Sequence, residues 1–134
     1  MITLSKDMET GVAKIDEQHR ELISRINAVT SMGALSVSKE ETQKTVDLLG
    51  EYIIKHFGDE EALHRQYNYP KYEWHKGQHR MLENEYPKIR KEFAETGPSA
   101  KFTLDLNKTI IDWIVRHIKS ADVEFGKYYR EHNK

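Results

Sequence analysis

The chain contains no cysteine. That excludes a disulfide framework, a thiolate metal ligand and a cysteine nucleophile or redox pair. Net charge is nearly absent too: 21 Lys+Arg stand against 22 Asp+Glu, a formal −1 at pH 7. A basic footprint for nucleic acid or an anionic membrane surface is therefore missing. No apolar run approaches the roughly 20 residues that span a bilayer. The opening MITLSKDMETG lacks the basic-then-apolar pattern of a secretory signal. These absences predict a cytoplasmic protein with neither a nucleic-acid nor a membrane partner.

What is present has the composition of a globular chain, 37% hydrophobic and 32% charged over 134 residues. That length suits one domain around one core, here taken as residues 1–134 with an arm to about 15 and a bundle over about 16–131. The arm has no clear period and bends at Gly11. A first helix is expected from Asp16 to Met32, with His19, Leu22, Ile23, Ile26 and Val29 inward, ended by GALSVS. Ser38 and Glu41 have the spacing of a capping box. From there Thr42, Val46, Leu49, Ile53, His56, Glu60 and Leu63 step by three and four along one helical seam. YNYP closes that helix, because Pro70 disfavours helical geometry at Tyr69 and suits a first turn. A third seam runs Tyr72, His75, His79, Leu82, Tyr86, Ile89 and Phe93, and Pro87 inside it predicts a kink or early end. TGPS is a stop. A fourth helix over Lys101 to Tyr129 turns Phe102, Leu106, Thr109, Ile110, Trp113, Ile114, His117, Ala121 and Phe125 inward. Short connections make neighbours antiparallel, so the expected fold is all-α: an up-down-up-down antiparallel four-helix bundle with an extended N-terminal arm.

Each predicted helix carries imidazole where its seam places the core: His19; His56 with Glu60; His75 with His79; and His117, followed five residues later by Asp122. Residues four apart share a helical face. His19 is early in its helix, His56 and Glu60 late, His75 and His79 early, His117 and Asp122 late. Alternating direction brings all of them to one end of the bundle. Buried polar groups are costly unless satisfied, and buried carboxylates more so. A metal satisfies this set most completely, and imidazole with carboxylate suits iron, zinc, copper or manganese. Seven donors are too many for one tetrahedral zinc. With both carboxylates bridging, five imidazoles and a bridging hydroxide fill eleven of the twelve positions of two octahedral ions. One position stays open for a small ligand.

The strings IDEQH (15–19), HFGDEE (56–61), YPKYEWHKGQH (69–79) and WIVRHIKSAD (113–122) resemble the hemerythrin family, in particular its stand-alone bacterial members, the bacteriohemerythrins. The resemblance covers nearly the whole chain. It implies a non-haem di-iron centre, two Fe ions (Fe2+/Fe3+) bridged by hydroxide or oxide, that binds O2 reversibly as a carrier, store or delivery protein rather than an enzyme. By position, His75, His79 and His117 look like terminal ligands of one iron and His19 and His56 of the other, with Glu60 and Asp122 bridging. Phe57, Trp113 and Ile114 correspond to residues lining the O2 pocket. The protein that receives the gas is not implied. Leu4 departs from the aromatic residue common near the start of bacterial members. Because residues five apart lie about 140° round an ideal helix, a π-type irregularity is expected between His117 and Asp122.

His64 and His132 are expected outside the site. His64 competes with Leu63 for the inward face and is taken as solvent-facing, while His132 falls in a fraying tail. A ferritin-like oxidase needs a Glu-x-x-His pair on two helices, and this chain offers one such string, Glu61 to His64. The alternative function is an O2- or NO-sensing or iron-handling module built on the same site.

Overall fold

Ser38 opens the second helix as predicted, its hydroxyl accepting from the backbone N–H of Glu41 at 3.1 Å. The computed structural model describes residues 2–31, 38–97 and 99–132, with Lys39 described by its backbone alone. Met32, most of the GALSVS segment and Pro98 lie outside the described residues. Four helices follow one another: α1 (Ala13–Ser31), α2 (Lys39–Gln66), α3 (Tyr72–Thr96) and α4 over residues 100–132. Consecutive helices pack antiparallel, and no strand occurs among the described residues. The expected all-α bundle is the observed one.

Local chemistry sets the ends. Asn68, at φ 51, occupies the left-handed region that Asn tolerates, and turns the chain from α2 into α3. Gly97, at φ 68, ends α3, and the Ser99 hydroxyl caps α4 by accepting from Phe102 N at 3.1 Å. Two expectations change. α1 begins at Ala13 rather than Asp16, and α3 continues through Pro87 to Thr96.

The arm is shorter than predicted and folded onto the bundle, with a 3₁₀ turn at Lys6–Met8. The Asp16 carboxylate accepts from Thr10 N (2.8 Å), Thr10 Oγ1 (2.7 Å) and Gly11 N (3.1 Å). Arg130 on α4 donates to the Thr10 carbonyl. Asn27 holds Ile2 by both backbone groups.

Two apolar clusters fill the interior. The larger contains Leu22, Ile53, Phe57, Leu82, Ile114 and Ile118, the smaller Val12, Ile15, Tyr69 and Phe125. On α1 and α4, polar positions fall between members of the two clusters: Ile15, His19, Leu22 on α1, and Ile118, Asp122, Phe125 on α4. The polar layer is sealed by apolar packing above and below.

Candidate metal centre

Helical spacing delivers the donors. His56 and Glu60 on α2, and His75 and His79 on α3, are each four apart and face inward together. α4 meets its five-residue spacing by widening: residues Ile118–Asp122 form a π-helical turn. A π turn takes more residues per revolution than an α turn, so Asp122 comes round beneath His117 rather than pointing sideways. The irregularity expected from the spacing is present, and a second π segment lies at Leu106–Ile111.

All seven predicted residues converge and are buried, His117 being the most accessible at 5%. Their donor atoms form two groups, each within 4.8 Å: Glu60, His75, His79, His117 and Asp122 in one, His19, His56, Glu60 and Asp122 in the other. The two carboxylates belong to both.

Inside this layer His19 Nε2 pairs with His56 Nε2, and His75 Nε2 with His117 Nε2, both at 3.1 Å, but the carboxylates approach the imidazoles without hydrogen-bonding alignment. Glu60 Oε1 lies 3.0 Å from both His75 Nε2 and His79 Nε2. Asp122 Oδ1 lies 2.9 Å from His75 Nε2 and 3.1 Å from His117 Nε2, and Asp122 Oδ2 lies 3.0 Å from His19 Nε2. Yet both oxygens of Glu60, both of Asp122 and Nε2 of His79 have no partner in hydrogen-bonding geometry. Close approach without alignment is what donors aimed at a common point produce. The spacing is informative as well. Donors at right angles around an ion at about 2.1 Å are about 3.0 Å apart, whereas tetrahedral donors are about 3.4 Å apart. The observed 2.9–3.1 Å separations are close enough for donors at right angles around one ion.

Ring orientation is fixed from outside the layer. Gln18 Oε1 accepts from His56 Nδ1 (2.8 Å), Glu61 Oε2 from His79 Nδ1 (2.8 Å) and Gln78 Oε1 from His117 Nδ1 (2.8 Å). A proton held at Nδ1 leaves the Nε2 lone pair facing inward, the tautomer a metal requires. Gln18 is itself held by Asp59 at 2.8 Å and Glu61 by Arg80 at 2.7 Å. The support passes round the bundle, from α1 to α2, α2 to α3 and α3 to α4.

Electrostatics of the layer point the same way. Burial lowers His56 to about 4, leaving it neutral. Burial also opposes protonation of His75, but close contact with Asp122 and Glu60 outweighs it and takes His75 up to about 10. Burial and Asp122 together would raise Glu60, yet His75 and His79 bring it down to about 2. Asp122 is held well below the usual carboxylate range against its burial, by His117, His19 and His75. Two anionic carboxylates thus stay ionised in a dry interior, and protons on imidazole stand where a cation would compete.

Of the predicted pocket residues, Phe57 and Trp113 lie against this layer. Phe57 is buried and stacks on His79 at 3.9 Å, with His56 at 6.0 Å. Trp113 is half-buried and stacks on His117 at 4.5 Å, and Ile114 is buried. The placement of His64 in solvent is wrong. It is fully buried, against His75, Tyr69 and Phe125, while Leu63 is the half-buried one. Tyr69 from the turn and Phe125 from α4 cover α2 there, which widens its buried face. His132 is exposed at the end of α4, its Nδ1 donating to the Tyr128 carbonyl. Gln18, Glu61 and Gln78 were missed. Each adjoins an inward donor in sequence, and that adjacency was the available signal.

A four-helix bundle with a buried layer of five histidines and two shared carboxylates defines a class of metal-binding protein. The profile of the Hemerythrin HHE cation binding domain matches residues 10–128, and the chain belongs to the hemerythrin family. It is 26% identical over 126 residues to a bacteriohemerythrin of Methylococcus capsulatus, covering 94% of each chain. It is 32% identical over 117 residues to one of Campylobacter jejuni, covering 87% of this chain and 86% of the relative. A myohemerythrin of Theromyzon tessulatum is 29% identical over 119 residues, covering 87% and 84%.

Proposed function

We propose that this chain binds O2 reversibly, as a carrier, store or delivery protein, at two iron ions held by the seven-residue layer. His75, His79 and His117 hold one ion, His19 and His56 the other, and Glu60 and Asp122 bridge them. The observation that carries this is the division of the donors into two groups sharing both carboxylates. One group has three imidazoles and the other two, which leaves the two-imidazole side a donor short. When bound, the iron pair supplies the electrons and the open coordination position that reversible O2 binding needs. The polypeptide contributes two negative charges and neutral imidazoles, so the centre keeps a low net charge in an apolar interior. Gln18, Glu61 and Gln78 hold the ring tautomers. Phe57, Trp113 and Ile114 exclude water from the donors. Among the described residues, no helix is long and apolar enough to cross a membrane.

The test is an optical spectrum of iron-loaded protein, reduced with dithionite, exposed to air and then purged with argon. The expected result is a visible charge-transfer band that forms in air and disappears on purging, with two irons per chain. Irreversible bleaching, or a single iron per chain, overturns the reading.

A further inference from the structure

Four buried polar atoms without partners lie together beside the metal layer: both ring nitrogens of His64, Nδ1 of His75 and the hydroxyl of Tyr69. The ring centroids of His64 and His75 are 4.4 Å apart, those of His64 and Tyr69 5.1 Å, and those of Tyr69 and His75 6.5 Å. Unpaired groups of this kind are costly one at a time. A single buried water, which needs two to four polar partners, would pair them.

The position has a second meaning. Within the three-imidazole group, His79 is supported by Glu61 and His117 by Gln78, but His75 Nδ1 has no supporting side chain. Each existing support comes from the helix preceding the supported one. His64 on α2 stands in that same relation to His75 on α3. His19 Nδ1 is also unpartnered, but its ring meets His56, whose own Nδ1 is taken by Gln18.

We propose that His64 is a positioning residue of the metal centre: through one bridging water it accepts the Nδ1 proton of His75 and so aims the His75 Nε2 lone pair inward. This rests on the reading of the seven-residue layer as the metal site. A neutral imidazole has one acceptor nitrogen and one N–H. The acceptor nitrogen serves the water. Nothing in packing alone requires an imidazole here, since an aliphatic side chain would fill the space between Phe125 and Tyr69 without unpaired nitrogens. A role toward the metal accounts for the histidine.

The experiment compares wild type with His64→Leu and His64→Gln. Thermal melting of the metal-free proteins is followed by circular dichroism, and Fe(II) affinity by anaerobic competition with a chelator. The metal-free His64→Leu protein is expected to stay folded, its melting temperature reporting the loss of the water contact separately from metal binding. It should nevertheless bind Fe(II) about 10–100-fold more weakly, the usual effect of losing a group that orients a metal-bound imidazole. His64→Gln retains an acceptor and should recover most of that loss. Unchanged Fe(II) affinity in His64→Leu, or equal losses in both variants, overturns the proposal. If His64→Leu does not fold, proton–nitrogen NMR of the zinc-loaded wild type decides. A slowly exchanging, hydrogen-bonded His75 Nδ1–H supports the role, and a rapidly exchanging one overturns it. A wild type that binds no metal defeats the site reading itself, an outcome distinct from wild-type binding that His64→Leu leaves intact.

Discussion

Ile114 lies three residues before His117, 2% exposed, in the larger apolar cluster beside Phe57. Under the O2-binding role proposed above, its aliphatic surface would keep water from the iron pair, where water assists the loss of reduced oxygen species. Ile114→Asn should therefore shorten the lifetime of the oxygenated spectrum on the order of tenfold, equivalent to about 1.4 kcal/mol in a barrier. Ile114→Leu should leave it nearly unchanged, and timed spectra in air check both. At this scale the sequence was most legible where a polar side chain interrupted an apolar seam, as at His56, Glu60, His75 and His79. It was least legible one residue to the side. Gln18, Glu61 and Gln78 are about 100° from their neighbours on the helix and face the next helix, so their use depends on a partner the local pattern does not contain. His64 was misjudged for a related reason: the residues that bury it, Tyr69 and Phe125, come from a turn and another helix.

At the scale of the element, α4 carries the unusual geometry. Spacing alone predicted an irregularity between His117 and Asp122, and Ile118–Asp122 supplies it as a π turn. A π turn is an α turn with one residue more. Deleting Ser120, which is exposed, should relax this turn to four-residue spacing and keep Asp122 and Phe125 facing the core. Inserting one alanine there should rotate both about 100° off it. Far-ultraviolet circular dichroism and metal content are expected to show a folded deletion variant and an unfolded, metal-free insertion variant. The second π segment at Leu106–Ile111 was not foreseen, because no pair of functional residues spans it to reveal the changed period. The arm docks on this same helix at Gly126, where an added Cβ would lie 2.2 Å from the Thr10 carbonyl oxygen. That neighbour is backbone and cannot swing aside. Gly126→Ala should cost about 1–3 kcal/mol by overpacking, read as a lower urea midpoint.

For the molecule as a whole, the buried layer couples folding to protons and to metal. Alternation of four helices was readable because each seam is long and regular. The resulting bundle brings imidazoles with opposite proton affinities into one place. His56 and His64, lowered by burial to about 4, bind protons near 6.5 once unfolded. Between those values the unfolded state binds more protons, so the metal-free protein loses stability as pH falls from about 6.5 toward 4. His75, raised to about 10 when folded, works in the other direction. Its contribution is complete below about 6.5 and is lost as pH climbs through about 10. Metal-free stability should therefore peak near neutrality and decline on both sides. Removing one depressed imidazole with His64→Leu should flatten the acid limb by up to one proton, or about 1.4 kcal/mol per pH unit, in urea denaturation between pH 4.5 and 6.5. Metal changes the balance, since it binds the deprotonated donors and only in the folded chain. At a hundredfold excess over the dissociation constant it adds about 2.7 kcal/mol. That gain should shrink steadily as the medium is acidified, because protons and cation compete for His75 and its neighbours. A metal-dependent rise in melting temperature that stayed constant from pH 8 to pH 5 would show that the cation binds elsewhere.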